Sequence, residues 1–122
     1  YVGKQMFGGI IFHVNDDGQT GIVVALNSLG SNTKFTAVSL CDEYTSDGYT
    51  NWSLPSLESF ELLNQNVGLN SEYGNLAGLS TSNYWTNTCC AGQSCYYYNP
   101  SSGNSACIDY FNYRSILPIK YF

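Results

Sequence analysis

Positive charge is the scarcest feature of this sequence: 4 Lys and Arg stand against 9 Asp and Glu in 122 residues, a formal net charge of -5. That excludes the continuous basic footprint that nucleic acid demands. Histidine occurs once, as His13, and no Ser or Cys lies in a recognisable nucleophile motif, so His13 reads as a structural or solvent-facing strand residue. No apolar run approaches the length of a membrane span, so this domain is not expected to insert into a bilayer itself. Paired zinc-type C-x-x-C spacing and a phosphate-cradling glycine loop are both missing. Asp42, Glu43, Asp47, Glu58, Glu61, Glu72 and Asp109 offer no readable acid–base pair. Together these absences argue against an enzyme, and neither a cofactor nor a metal is expected. The chain starts at Tyr1 rather than Met, so we expect a piece of a longer protein whose targeting and anchoring signals lie elsewhere.

What is present is aromatic and polar. Aromatics make up 16% of the chain, with 11 Tyr, against 11% charged residues. A surface rich in Tyr, Asn, Ser and Gly suits a secreted or cell-surface binding module, because Tyr supplies large contact area with one polar end. The length fits one domain with a real core. Five cysteines, Cys41, Cys89, Cys90, Cys95 and Cys107, read as one or two disulfides in an exported, oxidised location. Cys89 and Cys90 are adjacent and cannot easily bridge each other across a trans peptide, so they should take different partners or leave one free. Cys90 with Cys95 would close a tight loop, and Cys41 with Cys107 would tie a helix to a late strand. The odd cysteine is either a buried thiol or an intermolecular bridge.

The organising stretch is Gly48 to Leu63. Pro55 disfavours helix at Leu54, Ser56 follows as an N-cap, and Glu58 and Glu61 put negative charge near the positive end of a helix. Phe60, Leu63 and Val67 share one helical face, and Gly68 stands where the helix should stop. Upstream, the apolar runs Phe7 to Val14 and Gly21 to Leu26 flank Asn15-Asp16-Asp17-Gly18 and read as a β-hairpin. Those Asx residues serve the turn better than a calcium ion, because no ligand-spaced carboxylates follow. From Thr36, the residues Ala37, Leu40, Cys41 and Tyr44 mark another helical face, with Asp42, Glu43 and Asp47 as a solvated acidic rim. Downstream come a long loop from Asn70 to Ser82, strands at Asn83 to Thr88 and Cys95 to Tyr98, a turn at Asn99 to Gly103, and a strand region from Ala106 to Ile119 broken near Asn112. Pro118 should lie at a strand end or edge. The layout is α+β, with a mainly antiparallel sheet, two short helices and long loops.

Several stretches occur together in a familiar order: Gly8-Gly9-Ile10-Ile11-Phe12, Asp17-Gly18, Gly21-Ile22-Val23-Val24-Ala25 and Ala37 to Cys41. They are followed by Gly48-Tyr49-Thr50-Asn51-Trp52-Ser53-Leu54-Pro55-Ser56, Tyr84-Trp85-Thr86-Asn87-Thr88 and Arg114-Ser115-Ile116-Leu117-Pro118-Ile119. Over nearly the whole chain this resembles the Lcl C-terminal domain family, named after a collagen-like adhesin. The resemblance implies a C-type-lectin-like fold, a bacterial cell-surface location, assembly as a homotrimer on a stalk, and binding of sulfated glycosaminoglycan in adhesion and biofilm formation. Cys89, Cys90, Cys95 and the Tyr96-Tyr97-Tyr98 run depart from the family pattern.

A polyanion is repelled by a net-negative domain unless its few cations are gathered. A threefold assembly would repeat Lys4, Lys34, Arg114 and Lys120 around an axis, which makes these four the candidate glycosaminoglycan ligands. Arg114 carries the planar fork that suits sulfate, although a structural ion pair is an equal use of it. The competing expectation is a lectin-like module that takes neutral glycans through Tyr stacking and amide hydrogen bonds in the loops from 70 to 104. Calcium-bridged sugar binding is unsupported, because neither Glu-Pro-Asn nor Gln-Pro-Asp occurs. Trp52 and Trp85 stand in fold motifs and are expected in the core. Of Tyr96, Tyr97 and Tyr98 at least one should be exposed, since neighbours in a strand face opposite ways.

Overall fold

The structure, a computed structural model, describes every residue except Tyr73. The hairpin residues form β2 (Gly9–Val14) and β3 (Gly21–Ala25), with the short β1 (Gln5–Met6) beside β2 and β9 (Ile119–Tyr121) beside β3. All pairings in this first sheet are antiparallel. The turn is closed by Asp17, whose carboxylate accepts from the Gln19 and Thr20 amides at 2.9 and 3.0 Å and from the Thr20 hydroxyl. Those bonds hold the Asp17 carboxyl below its ordinary value and occupy the oxygens a cation would need. At Gly9 any Cβ would collide with the Val24 carbonyl oxygen and crowd the Trp52 ring, so the strand crossing requires glycine.

The second sheet runs in the order β4 (Ser31–Asn32), β8 (Arg114–Ser115), β5 (Tyr84–Ala91), β6 (Ser94–Asn99), β7 (Asn104–Asp109). Its pairings are antiparallel apart from a single parallel contact between β5 and β8. The domain is thus α+β with mixed, mostly antiparallel sheets. Alternation along β5 and β6 divides the core in two. Tyr84 and Tyr98 point to one side, where each lies 5.4 Å from the Phe60 ring and joins Leu63, Val67 and the first sheet. Trp85 and Cys95 point to the other side, against Ala37, Cys41, Leu54 and Ile116. Both tryptophans are core residues, as their motifs suggested.

Helix α2 (Leu57–Val67) occupies the first side and forms where the sequence indicated. The Ser56 hydroxyl accepts the Ser59 amide at 3.1 Å, and the Leu57 amide donates to Thr88 Oγ1 at 3.0 Å, so two of the helix's unpaired N-terminal amides are met. Gly68 caps the other end. Phe60, Leu63 and Val67 are fully buried, each contributing about 1.5–3 kcal/mol of apolar transfer energy. Helix α1 (Lys34–Glu43) covers the second side and begins two residues before Thr36. Thr33 makes no side-chain cap there; instead the Lys34 amide donates to the Tyr110 carbonyl at 3.0 Å, a tertiary partner invisible to local pattern. Asp42, Glu43 and Asp47 are exposed, in keeping with a solvated rim. Between 70 and 82 no described residue joins a helix or strand.

The cysteine pairing differs from both sequence-based pairs. Cys89 bonds Cys95 and Cys90 bonds Cys107, while Cys41 is the free, buried thiol. Cys89 and Cys90 do take different partners, because adjacent strand residues face opposite sides. The register of the β5–β6 hairpin sets Cys89 rather than Cys90 opposite Cys95. Cys41 is 1% exposed on α1 while Cys107 lies exposed on β7, so the expected tie between helix and late strand does not form. Two disulfides indicate an oxidising environment. Among the described residues no helix is long and apolar enough to cross a membrane.

Candidate functional site

The four cations fall into two groups, one at the first sheet and one where α1 meets the second. Lys4 is exposed just before β1, with its amine 6.0 Å from the Tyr1 ring centroid. Lys120 is half-buried on β9, at the opposite edge of the same sheet. Arg114 belongs to the second sheet, where the backbone pairs it with Asn32, and Lys34 opens α1 two residues after Asn32. Cys95 and Tyr97 share one face of β6, about 7 Å apart along the strand. The Lys34 amine docks on the first, 3.0 Å from Cys95 Sγ, and the Arg114 guanidinium docks on the second, its carbon 4.8 Å from the Tyr97 ring centroid. One chain therefore presents no common patch of all four. None of the four forms an ion pair among the described residues.

Lys34 is 7% exposed, and burial holds its amine below the ordinary lysine value. Its ammonium also touches Cys89 Sγ at 3.5 Å and lies 5.5 Å from the Tyr110 ring centroid. It has almost no surface to offer an external sulfate, which removes it from the ligand set the sequence suggested.

Arg114 is different. It stacks on Tyr97, and its Nη1 donates to the Tyr113 carbonyl at 2.7 Å. A guanidinium has five N–H groups, and this is the one bond it makes among the described residues. Nε is buried with no partner, so the fork is held by stacking and a carbonyl, with no neutralising carboxylate. Arg114 forms part of the wall of a shallow hollow of about 260 Å³ together with Ser31, Ser82, Asn83, Tyr113 and Ser115. The lining is a cation, three hydroxyls, an amide and an exposed Tyr ring, groups that hydrogen-bond sugar hydroxyls and anionic substituents. Asn83 is fixed by Asn99, whose Nδ2 donates to Asn83 Oδ1 at 2.8 Å, and Ser115 by the hydrogen bond its amide N–H donates to the Asn83 carbonyl at 2.8 Å. Sequence reading named Arg114 but not Tyr97 as its platform, because that contact spans 17 residues and three strands.

A larger hollow of about 500 Å³ is lined by Val2, Gln65, Asn66, Asn70 and Glu72. It is amide-rich and without an aromatic wall among the described residues. Asn66 is already engaged, donating to the Phe12 carbonyl at 2.8 Å. Of the tyrosine run, Tyr98 is buried while Tyr96 and Tyr97 are half-buried, so the expected exposure is partial. His13 exchanges a hydrogen bond with Asn15 at 2.9 Å beside the turn.

No protein-family model matches the chain, and no curated protein matches it either. The resemblance to the Lcl C-terminal domain family therefore rests on the quoted residues alone.

Proposed function

We propose that the domain is a non-catalytic, surface-displayed adhesin-type head that binds sulfated glycosaminoglycan through the hollow around Arg114. The observation that carries this reading is a guanidinium stacked on Tyr97, with no carboxylate partner among the described residues, in a wall of hydroxyl and amide groups. A sulfate or uronate oxygen pairs with such a fork through parallel charge-assisted hydrogen bonds. The exposed Tyr113 ring supplies a face for the sugar itself. Lys4 and Lys120 act at most as secondary contacts on the first sheet. With a net charge of -5 the domain depends on local potential, and assembly as a homotrimer repeats Arg114 three times and adds avidity. The Leu54–Pro55 elbow leading into α2 supports a C-type-lectin-like variant of the fold.

Retention on immobilised heparin, run as a salt series beside an uncharged dextran matrix, tests the reading. Retention that weakens with salt and is lost in Arg114→Ala supports it. Absence of retention even at low salt removes it. The alternative, neutral-glycan recognition, is favoured by one observation: the amide-lined hollow at Gln65, Asn66 and Asn70 suits sugar hydroxyls. Binding to neutral glycans that survives Arg114→Ala and is lost in Asn70→Ala would establish it.

A further inference from the structure

The Cys89–Cys95 disulfide has an unusual neighbour. Its inner sulfur, on Cys95, is fully buried, while Cys89 is exposed on β5. The Lys34 ammonium lies 3.0 Å from Cys95 Sγ and 3.5 Å from Cys89 Sγ. No carboxylate pairs with Lys34 among the described residues, and the Tyr110 ring is the one other group recorded against its charge. A buried cation without a counter-ion is costly, and opening this disulfide would create an anion beside it. The second disulfide provides an internal reference, since Cys90 and Cys107 are both exposed and neither touches a cation among the described residues.

We propose that Cys89–Cys95 is a thiol-exchange site, with Cys89 as the sulfur attacked by a small external thiol and Cys95 as the leaving thiolate stabilised by Lys34. A thiolate such as that of glutathione attacks Cys89 Sγ. The Sγ–Sγ bond breaks, its electron pair leaves on Cys95, and a mixed disulfide remains on Cys89. A second glutathione thiolate attacks the glutathione sulfur of this mixed disulfide; that S–S bond breaks with its electron pair on Cys89, oxidised glutathione is released, and the two-electron reduction of the protein is complete. Exchange is faster when the departing sulfur is the better-stabilised anion, and a dithiol form stabilised by a cation makes its disulfide the easier to reduce. The site is thus open to S-glutathionylation at Cys89 in a compartment where the other disulfide persists.

The experiment exposes the folded domain to reduced glutathione at neutral pH, quenches with acid, alkylates, and locates adducts by peptide fragmentation. The expected first product carries glutathione on Cys89 and an alkyl group on Cys95, with Cys90–Cys107 intact. Access alone would favour the opposite order, because both residues of Cys90–Cys107 are exposed whereas Cys95 is buried. Lys34→Met should slow opening of Cys89–Cys95 on the order of tenfold, and Lys34→Arg should restore most of the rate. The idea is overturned if Cys90–Cys107 opens first in the unmodified domain, a result that needs no variant to fold. An unchanged Cys89–Cys95 rate in a folded Lys34→Met protein overturns it equally.

Discussion

The Arg114 guanidinium carbon sits 4.8 Å from the Tyr97 ring centroid, while the Tyr113 carbonyl fixes Nη1 at 2.7 Å. On a domain with more than twice as many acidic as basic residues, the side chain with the best anion-binding geometry pairs with no carboxylate among the described residues. Lysine cannot reproduce that arrangement, since it lacks both the flat face and the fork. Arg114→Lys should therefore lose heparin affinity nearly as fully as Arg114→Ala, by about tenfold or more, the scale of a charge-assisted contact of about 1.5–3 kcal/mol. Elution at unchanged salt from a heparin column would contradict this.

Lys34 gives a pH signature. Burial lowers its folded value below the ordinary 10.5, so between those two values the unfolded chain binds more protons than the folded one. The penalty of burying the charge is full below the folded value and fades as pH climbs toward 10.5. The stability difference between Lys34→Met and the unmodified domain, from urea unfolding with the disulfides intact, should accordingly favour Met most at pH 7 and shrink by pH 10. A difference that is flat with pH would contradict the buried-charge reading.

Cys41 titrates the other way. Burial first, and then the Asp42 charge, push its thiol up to about 12 from 9.0. The folded domain holds the proton while the unfolded chain begins to lose it near 9.0, so this group's contribution to stability falls as pH rises above that value. At pH 8 an alkylating reagent should leave Cys41 unlabelled in the native protein and label it fully in denaturant. Stoichiometric native labelling, or a dimer linked through Cys41, would show that the thiol is accessible.

Asn64 is 1% exposed and fully used: Nδ2 donates to the Tyr98 hydroxyl at 3.1 Å and the Pro100 carbonyl at 2.9 Å, and Oδ1 accepts the Leu69 amide at 2.9 Å. Asn64→Leu keeps the bulk and strands three polar groups. It should cost about 2–3 kcal/mol, measured as a lowered denaturation midpoint with unchanged slope. A loss under about 0.5 kcal/mol, the range of ordinary surface changes, would mean that water replaces the amide.

Local chemistry made much of the fold legible. Ser56, Pro55 and Gly68 bounded α2 because capping is read within a few residues, and Asn15 to Gly18 announced the hairpin for the same reason. What stayed hidden depends on strand register and on contacts distant in sequence. One residue of register separates a Cys89–Cys95 bridge from the Cys90–Cys95 bridge that spacing suggested. The start of α1 is set by the Tyr110 carbonyl, 76 residues away. The site was half legible: Arg114 stood out by type, whereas burial of Lys34 against sulfur and the Tyr97 platform arise only once β5, β6 and β8 lie side by side.

The most direct measurement follows side-chain NMR signals during titration with a sulfated heparin oligosaccharide. Binding at the proposed hollow predicts shifts in the Arg114 Nε–H resonance and the Tyr97 and Tyr113 ring signals, saturating together and diminishing with added salt. Shifts confined to the Gln65, Asn66 and Asn70 amides, or no shifts around Arg114 at saturating oligosaccharide, would contradict it.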